Sequence, residues 1–238
     1  MGSQLSNSSV VSHMVASPLS HVKNGLIVSC QVPDDTAINT PEFIAAQALT
    51  VIQAGAVAIR AQGIENVKAI ARVVDVPIIG LVKRFDDECP VYITPSVSDV
   101  IELEKAGASI VAFDATGRLR PNNQTLKDFI TQVRLETNVL LLADVDSVES
   151  AIAAQDLGCD AVATTLSGYT DTPVSKLPNI ELIREISKNV TVPIIAEGGF
   201  NQPESVADAF KAGAMSVCIG TAITNPYLLT KHFLSAVN

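Results

Sequence analysis

A (β/α)8 TIM barrel is the fold this chain predicts, and three observations carry the prediction. Short apolar runs alternate with amphipathic stretches from Leu26 onward, as parallel strands covered on both faces alternate with helices. Gly55, Gly107, Gly158 and Gly213 each stand between a helical stretch and an apolar run, where a helix closing in the left-handed conformation calls for glycine. Their spacing of roughly 50 residues is two β/α units each time. Finally, hydrophobic residues make up 47% of the chain but aromatics only 4%, with no Trp. The interior must therefore be built from Val, Ile, Leu and Ala, the residues that fill such barrels.

Taken in order, residues 1–16 are Ser-rich and weakly periodic and are expected to form a flexible tail, with residues 17–238 forming one catalytic barrel domain. Eight strands are predicted, at residues 26–30, 56–59, 78–82, 109–113, 139–143, 161–163, 194–196 and 215–219. Helix starts are marked by Thr40-Pro41-Glu42, Thr94-Pro95-Ser96, Asp146-Ser147 and Gln202-Pro203-Glu204, where a proline or capping side chain precedes an apolar period. The rival is an open doubly wound sheet, but no G-x-G-x-x-G follows the first strand.

Composition narrows the function. A net charge of -9 without a basic run argues against nucleic acid or an anionic membrane surface as partner. The four cysteines, Cys30, Cys89, Cys159 and Cys218, are far apart and form no C-x-x-C pair, which reads as reduced thiols in the cytoplasm. No apolar run approaches the ~20 residues of a spanning helix. All three histidines lie towards the chain ends, so a His-based metal site, a Ser-His-Asp triad or a His general base is not expected in the barrel. Neither a metal nor a cofactor is predicted.

If the barrel is right, the residue closing each apolar run points into one shared mouth. In order these are Gln31, Arg60, Lys83 with Arg84, Asp114, Asp144, Thr164 with Thr165, Glu197, and Gly220 with Thr221. Catalytic groups of this fold come from several strand ends. Arg60, Lys83 and Glu197 sit directly on apolar runs, so their charges must find partners or ligands. One reading is a structural ion-pair network; the sharper one is an acid and a base facing one substrate. Gly198-Gly199 after strand seven and Gly220-Thr221 after strand eight occupy the place where barrels commonly hold a phosphate. A glycine pair alone is more often only a turn, and Thr221 could equally cap a helix.

The segments GLIVSCQ (residues 25–31), GAVAIRAQG (55–63), VPIIGLVKR (76–84), ITP (93–95), DATGRLRP (114–121), LLADVDS (141–147), TTLSGYT (164–170), VPIIAEGGFN (192–201) and IGTAIT (219–224) resemble the N-acetylmannosamine-6-phosphate 2-epimerases. The resemblance implies interconversion of N-acetylmannosamine 6-phosphate and N-acetylglucosamine 6-phosphate in sialic acid and amino sugar breakdown, without a cofactor, by a homodimer. It further implies Lys83 and Glu197 as the proton-transferring pair, Gln31, Arg60, Asp144 and Thr165 at the sugar, and Gly198, Gly199, Gly220 and Thr221 at the phosphate. Two departures stand out: Asn225 occupies a position where members of the family often carry Arg, and residues 32–40 differ from the usual first loop. The rival readings are a phosphate-binding synthase of the thiazole or indole type and a phosphosugar sensor without chemistry. A sensor needs neither Lys83 nor Glu197.

Overall fold

The computed structural model describes residues 17–86 and 88–237; the expected flexible tail, residues 1–16, lies outside them. Eight parallel strands close into a barrel in sequence order. They are β1 (Leu26–Cys30), β2 (Ala58–Gln62), β3 (Ile78–Leu81), β4 (Ile110–Asp114), β5 (Leu140–Asp144), β6 (Ala161–Ala163), β7 (Ile194–Glu197) and β8 (Ser216–Ile219). Pairing of β1 with β8, through Leu26 opposite Val217 and Ile27 opposite Cys218, completes the ring.

The two-residue period of a strand sorts the side chains into two cores. Ile27, Ile79, Leu81, Ile110, Ala112, Leu142 and Ile195 fill the barrel interior. Val28, Ile59, Ile78, Val111, Phe113, Leu141 and Ala196 face outward into the layer shared with the helices. Because the period continues to the strand ends, Ser29, Arg60, Lys83, Asp144 and Glu197 fall on the inner side. The same alternation turns Arg84 outward, where its guanidinium meets Asp99 at 2.5 Å.

Helices α2 (Pro41–Gln53), α4 (Val97–Ala106), α5 (Leu126–Glu136), α6 (Val148–Asp156) and α7 (Ile180–Asn189) begin on capping side chains, Thr40, Ser96, Thr125, Ser147 and Asn179 respectively, each accepting a backbone N–H of the first turn. Helices α1 (Pro18–His21) and α8 (Pro203–Lys211) begin on proline, α3 (Ile64–Ile70) follows Gly63, and the short α9 (Thr221–Thr224) follows Gly220. The four recurring glycines all have positive φ, between 87° and 109°, as their place at helix ends requires.

One sequence expectation shifts by more than a residue. Strand two runs over Ala58–Gln62 instead of 56–59, because Arg60 and Gln62 are polar residues carried inside the ladder, and reading apolar runs stops at the first charge. The helix after Thr94-Pro95-Ser96 starts at Val97 with Ser96 as its capping residue, and Thr94 ahead of it takes a left-handed φ of 44°.

Candidate active site

A cavity of about 830 Å³ opens at the C-terminal end of the barrel, within the ~300–1,000 Å³ usual for small-molecule sites. Gln31, Arg60, Lys83, Thr165 and Glu197 line it, as do Gly198, Gly199, Gly220 and Thr221. Strands β3 and β7 are four places apart in an eight-membered ring, so Lys83 and Glu197 enter the cavity from opposite sides.

Arg60 organises the floor. Its guanidinium is 1% exposed, and its two terminal nitrogens meet both oxygens of Asp144, at 3.0 and 2.6 Å. One of them also reaches Glu197 Oε2 at 2.9 Å. The Thr165 hydroxyl lies 2.7 Å from Asp144 Oδ1 and 3.1 Å from Glu197 Oε2. A hydroxyl has one hydrogen to give, so the two carboxyl groups share it. Burial pushes the Glu197 carboxyl above the usual range while Arg60 pulls the other way. Lys83 moves in the opposite sense: burial first, then Arg60, holds its amine below 10.5.

Local structure fixes Lys83. Its backbone bridges Ile93, and the Arg84 N–H donates to Tyr92 O at 2.9 Å. Thr94, β-branched yet left-handed, is held by its hydroxyl donating to Ala112 O at 2.6 Å and its N–H donating to Val82 O at 2.8 Å. A non-glycine residue in that region costs of order 1–3 kcal/mol and persists only where neighbours enforce it.

At the far side of the cavity, the backbone N–H groups of Gly198, Gly199, Gly220 and Thr221 find no acceptor among the described residues. Unpaired backbone donors at the edge of a cavity can receive an anion. Gly199 has a φ of 75°, and a Cβ there would stand 2.5 Å from Leu177 Cβ. The backbone thus approaches the cavity where no side chain fits. Among the described residues, no group of three or more His, Cys, Asp or Glu is placed to hold a metal ion.

Not every predicted residue reaches the cavity. Asp144, expected at the sugar, is fully buried and does not line the cavity, both its oxygens being held by Arg60. Among the strand-end residues, Asp114 is tied back by Arg118 at 2.6 Å and by Thr116 at 2.7 Å. The Thr164 hydroxyl donates to Glu197 O at 2.8 Å. Arg84 points outward, so the shared mouth does not include these three. Asn225 lines the cavity and caps the helix α10 (Pro226–Leu234), its side-chain oxygen accepting the Leu228 N–H at 3.0 Å.

Other cavity residues escaped the sequence reading. Ser29 and Cys218 lie on the inner two-residue period and could have been found by extending it. Burial pushes the Cys218 thiol well above its ordinary value, which makes it a poor nucleophile. Asp34, Phe85, Tyr92 and Tyr169 come from loops with no periodic signal.

The profile of the NanE family, described as "Putative N-acetylmannosamine-6-phosphate epimerase", matches residues 44–238. The chain belongs to this family. A relative from Clostridioides difficile (strain 630), named "Putative N-acetylmannosamine-6-phosphate 2-epimerase", is 40% identical over 220 residues, covering 92% of this chain and 98% of that protein. One of the same name from Clostridium perfringens (strain SM101 / Type A) is 43% identical over 215 residues, or 89% and 96% of the two chains. The solved structure of the N-acetylmannosamine-6-phosphate 2-epimerase from Clostridium perfringens superposes with a TM-score of 0.87 at 40% identity, over 92% of this chain and 95% of that one. Thiamine phosphate pyrophosphorylase from Pyrococcus furiosus, at a TM-score of 0.59 and 17% identity over 87% and 89% of the two chains, shares the barrel alone. The epimerase profile begins after β1, so the placing of Gln31 rests on the cavity.

Proposed function

We propose that this epimerase interconverts N-acetylmannosamine 6-phosphate and N-acetylglucosamine 6-phosphate by removing and returning the C2 proton, with Lys83 and Glu197 as the two proton carriers. The observation that carries the reading is their placement on facing strands beside four unpaired backbone donors. Inverting a carbon next to a carbonyl takes a base on one face and an acid on the other. In the open-chain aldehyde, neutral Lys83 takes the C2 proton, the C–H electron pair forms the C1–C2 double bond, and C1 oxygen becomes an enolate. Protonated Glu197 then supplies the proton to the opposite face of C2; the reverse direction exchanges the roles. Each such transfer contributes about 10²- to 10⁴-fold.

Two features support the scheme. The state with neutral Lys83 and protonated Glu197 holds the same number of protons as the ionised pair, and burial of both groups moves the balance towards it. The buried Nε of Arg60 has no partner among the described residues, leaving an N–H donor for the developing oxyanion. Gln31 and Thr165 complete the sugar contacts. Gly198, Gly199, Gly220 and Thr221 receive the phosphate through backbone N–H groups, which suits a cavity where Asn225 brings no charge.

The reading extends to a cytoplasmic homodimer in amino sugar and sialic acid breakdown. No helix among the described residues is long and apolar enough to cross a membrane, and the four cysteines are free. Helix α10 buries none of its residues, and Phe233 and Leu234 are 71% and 50% exposed, an apolar face suited to a second copy.

Incubating the purified protein with N-acetylmannosamine 6-phosphate and following the anomeric NMR signals tests the activity. The expected product is N-acetylglucosamine 6-phosphate, approached from either sugar to one equilibrium; no interconversion at stoichiometric enzyme overturns the reading.

A further inference from the structure

The first strand brings two polar side chains into the cavity that the proton transfer does not use. Ser29 is 4% exposed on the inner side of β1, and Gln31 follows two residues on, so both face the cavity and line it. The Gln31 amide donates from Nε2 to Ser29 Oγ at 2.7 Å. That bond leaves two groups unused. The Ser29 hydroxyl keeps its own hydrogen, with no acceptor for it among the described residues, and Gln31 Oε1 is buried with no donor among them. Turning the amide over exchanges the roles and still leaves a donor beside an acceptor. Buried polar groups are rarely left without partners, so the pair is arranged to receive a group that both accepts and donates. A hydroxyl does both; an ether or carbonyl oxygen only accepts.

The place of the pair in the barrel says which hydroxyl. Ser29 stands opposite Arg60 of β2 in the ladder. On its other side lies Gly220, where a Cβ would come within 3.6 Å of Ser29 Oγ. The Thr224 hydroxyl donates to Ser29 O at 2.6 Å and fixes this strand end against the segment after β8. In the proposed reaction Gly220 meets the phosphate on C6 and Arg60 meets the oxygen of C1. The oxygen-bearing carbon next to C6 is C5. Its oxygen has two chemical states: in the closed ring it is an ether bonded to C1 and carries no hydrogen, and in the open-chain aldehyde it is a hydroxyl.

Resting on the epimerase reading, we infer that Ser29 and Gln31 clamp the C5 hydroxyl of the substrate and thereby select the open-chain sugar, the form whose C2 hydrogen is acidic. The ring oxygen can take the Ser29 hydrogen but gives none to Gln31 Oε1, which then stays buried and unpaired. An unpaired buried acceptor disfavours binding by about tenfold or more, and sites that hydrogen-bond a hydroxyl reject analogues without one for this reason. Ser29 is thus a binding residue, and the clamp holds the ring-opened substrate on which Lys83 and Glu197 act.

The test uses two stable analogues, the open-chain N-acetylglucosaminitol 6-phosphate and its cyclic anhydro form, in which C1 and the C5 oxygen stay bonded. Isothermal titration is expected to show the open-chain analogue binding the wild type about tenfold or more tightly than the cyclic one. In Ser29→Ala and in Gln31→Met that ratio is expected to fall to about two or less, through weaker binding of the open-chain analogue. Inorganic phosphate is expected to keep its wild-type affinity in both variants, reporting that the phosphate loops are intact. Equal binding of the two analogues by the wild type overturns the clamp. So does a preference for the open-chain analogue that either variant retains in full. A variant that fails to fold loses phosphate binding too, and the wild-type ratio and the other variant then decide. Wild-type protein that epimerises neither sugar phosphate defeats the epimerase reading itself, a result distinct from normal epimerisation with equal binding of the two analogues.

Discussion

Arg60 sets the electrostatics of the cavity, because one buried guanidinium answers two carboxylates. Removing one partner of a buried ion pair costs about 3–5 kcal/mol, since the remaining charge is left without compensation. Arg60→Met is therefore expected to lower the unfolding free energy by about that much in urea titration, and Arg60→Lys to recover little, as an ammonium cannot span both Asp144 oxygens. A loss below about 1 kcal/mol for Arg60→Met would contradict the network. The proton carriers make a separate expectation. Burial raises the Glu197 carboxyl above 4.5 and lowers the Lys83 amine below 10.5, and the productive form is lost when either the first proton is added below both values or the last removed above both. The kcat/KM profile is expected to be bell-shaped, its acid limb above pH 4.5 and its basic limb below pH 10.5, both limbs belonging to the pair as a unit. Limbs at or outside those values count against the assignment. These residues were legible in the sequence because each ends an apolar run on the inner side of the two-residue period. Asp144 was legible as a strand end, but nothing in a sequence says that Arg60 would stand between it and the cavity.

At the level of elements, the loops are held by polar ties that can be cut one at a time. Asp146, just after β5, accepts hydroxyl hydrogen bonds from Ser150 at 2.8 Å, Thr170 at 2.8 Å and Thr172 at 2.9 Å, joining the start of α6 to the loop after β6 that carries Tyr169. Burial acts to raise its carboxyl, and the hydroxyls together outweigh that and hold it below 3.8. Asp146→Ala is expected to cost about 1–3 kcal/mol in chemical denaturation; a change under about 0.5 kcal/mol would show the tie to be idle. The Gly198-Gly199 turn makes a kinetic expectation. Alanine at 199 must adopt a left-handed φ and displace Leu177, a strain of about 1–3 kcal/mol. KM is expected to rise about tenfold or more with kcat little changed, and unchanged inhibition by inorganic phosphate would contradict a phosphate role for this turn. The sequence placed this turn and the one at Gly220 because both glycine-bearing loops follow late strands. It misplaced β2, whose inward arginine and glutamine interrupt the apolar run. It was silent on the return of the chain from Lys83 to Ile93, whose backbones bridge, because that pairing is carried by no apolar period.

For the molecule as a whole, the alternation of strand and helix and the glycine period specified a closed eight-strand ring, because local signals repeat there eight times and tertiary packing only has to agree with them. Assembly is less readable, since the exposed apolar residues of α10 name no partner by themselves. Light scattering is expected to give about twice the 25.0 kDa of the chain, and Phe233→Asp to shift the population towards monomer; a wild-type monomer at micromolar concentration would contradict the dimer. Catalysis as proposed requires two proton carriers facing each other across the ring, and C2 hydrogen exchange in deuterated water tests that arrangement most directly. With N-acetylmannosamine 6-phosphate, the wild type is expected to epimerise with deuterium entering at C2, while Lys83→Ala and Glu197→Gln each lose epimerisation by about 10²-fold or more. Wild-type inversion without C2 exchange, or full-rate epimerisation by either variant, would contradict it.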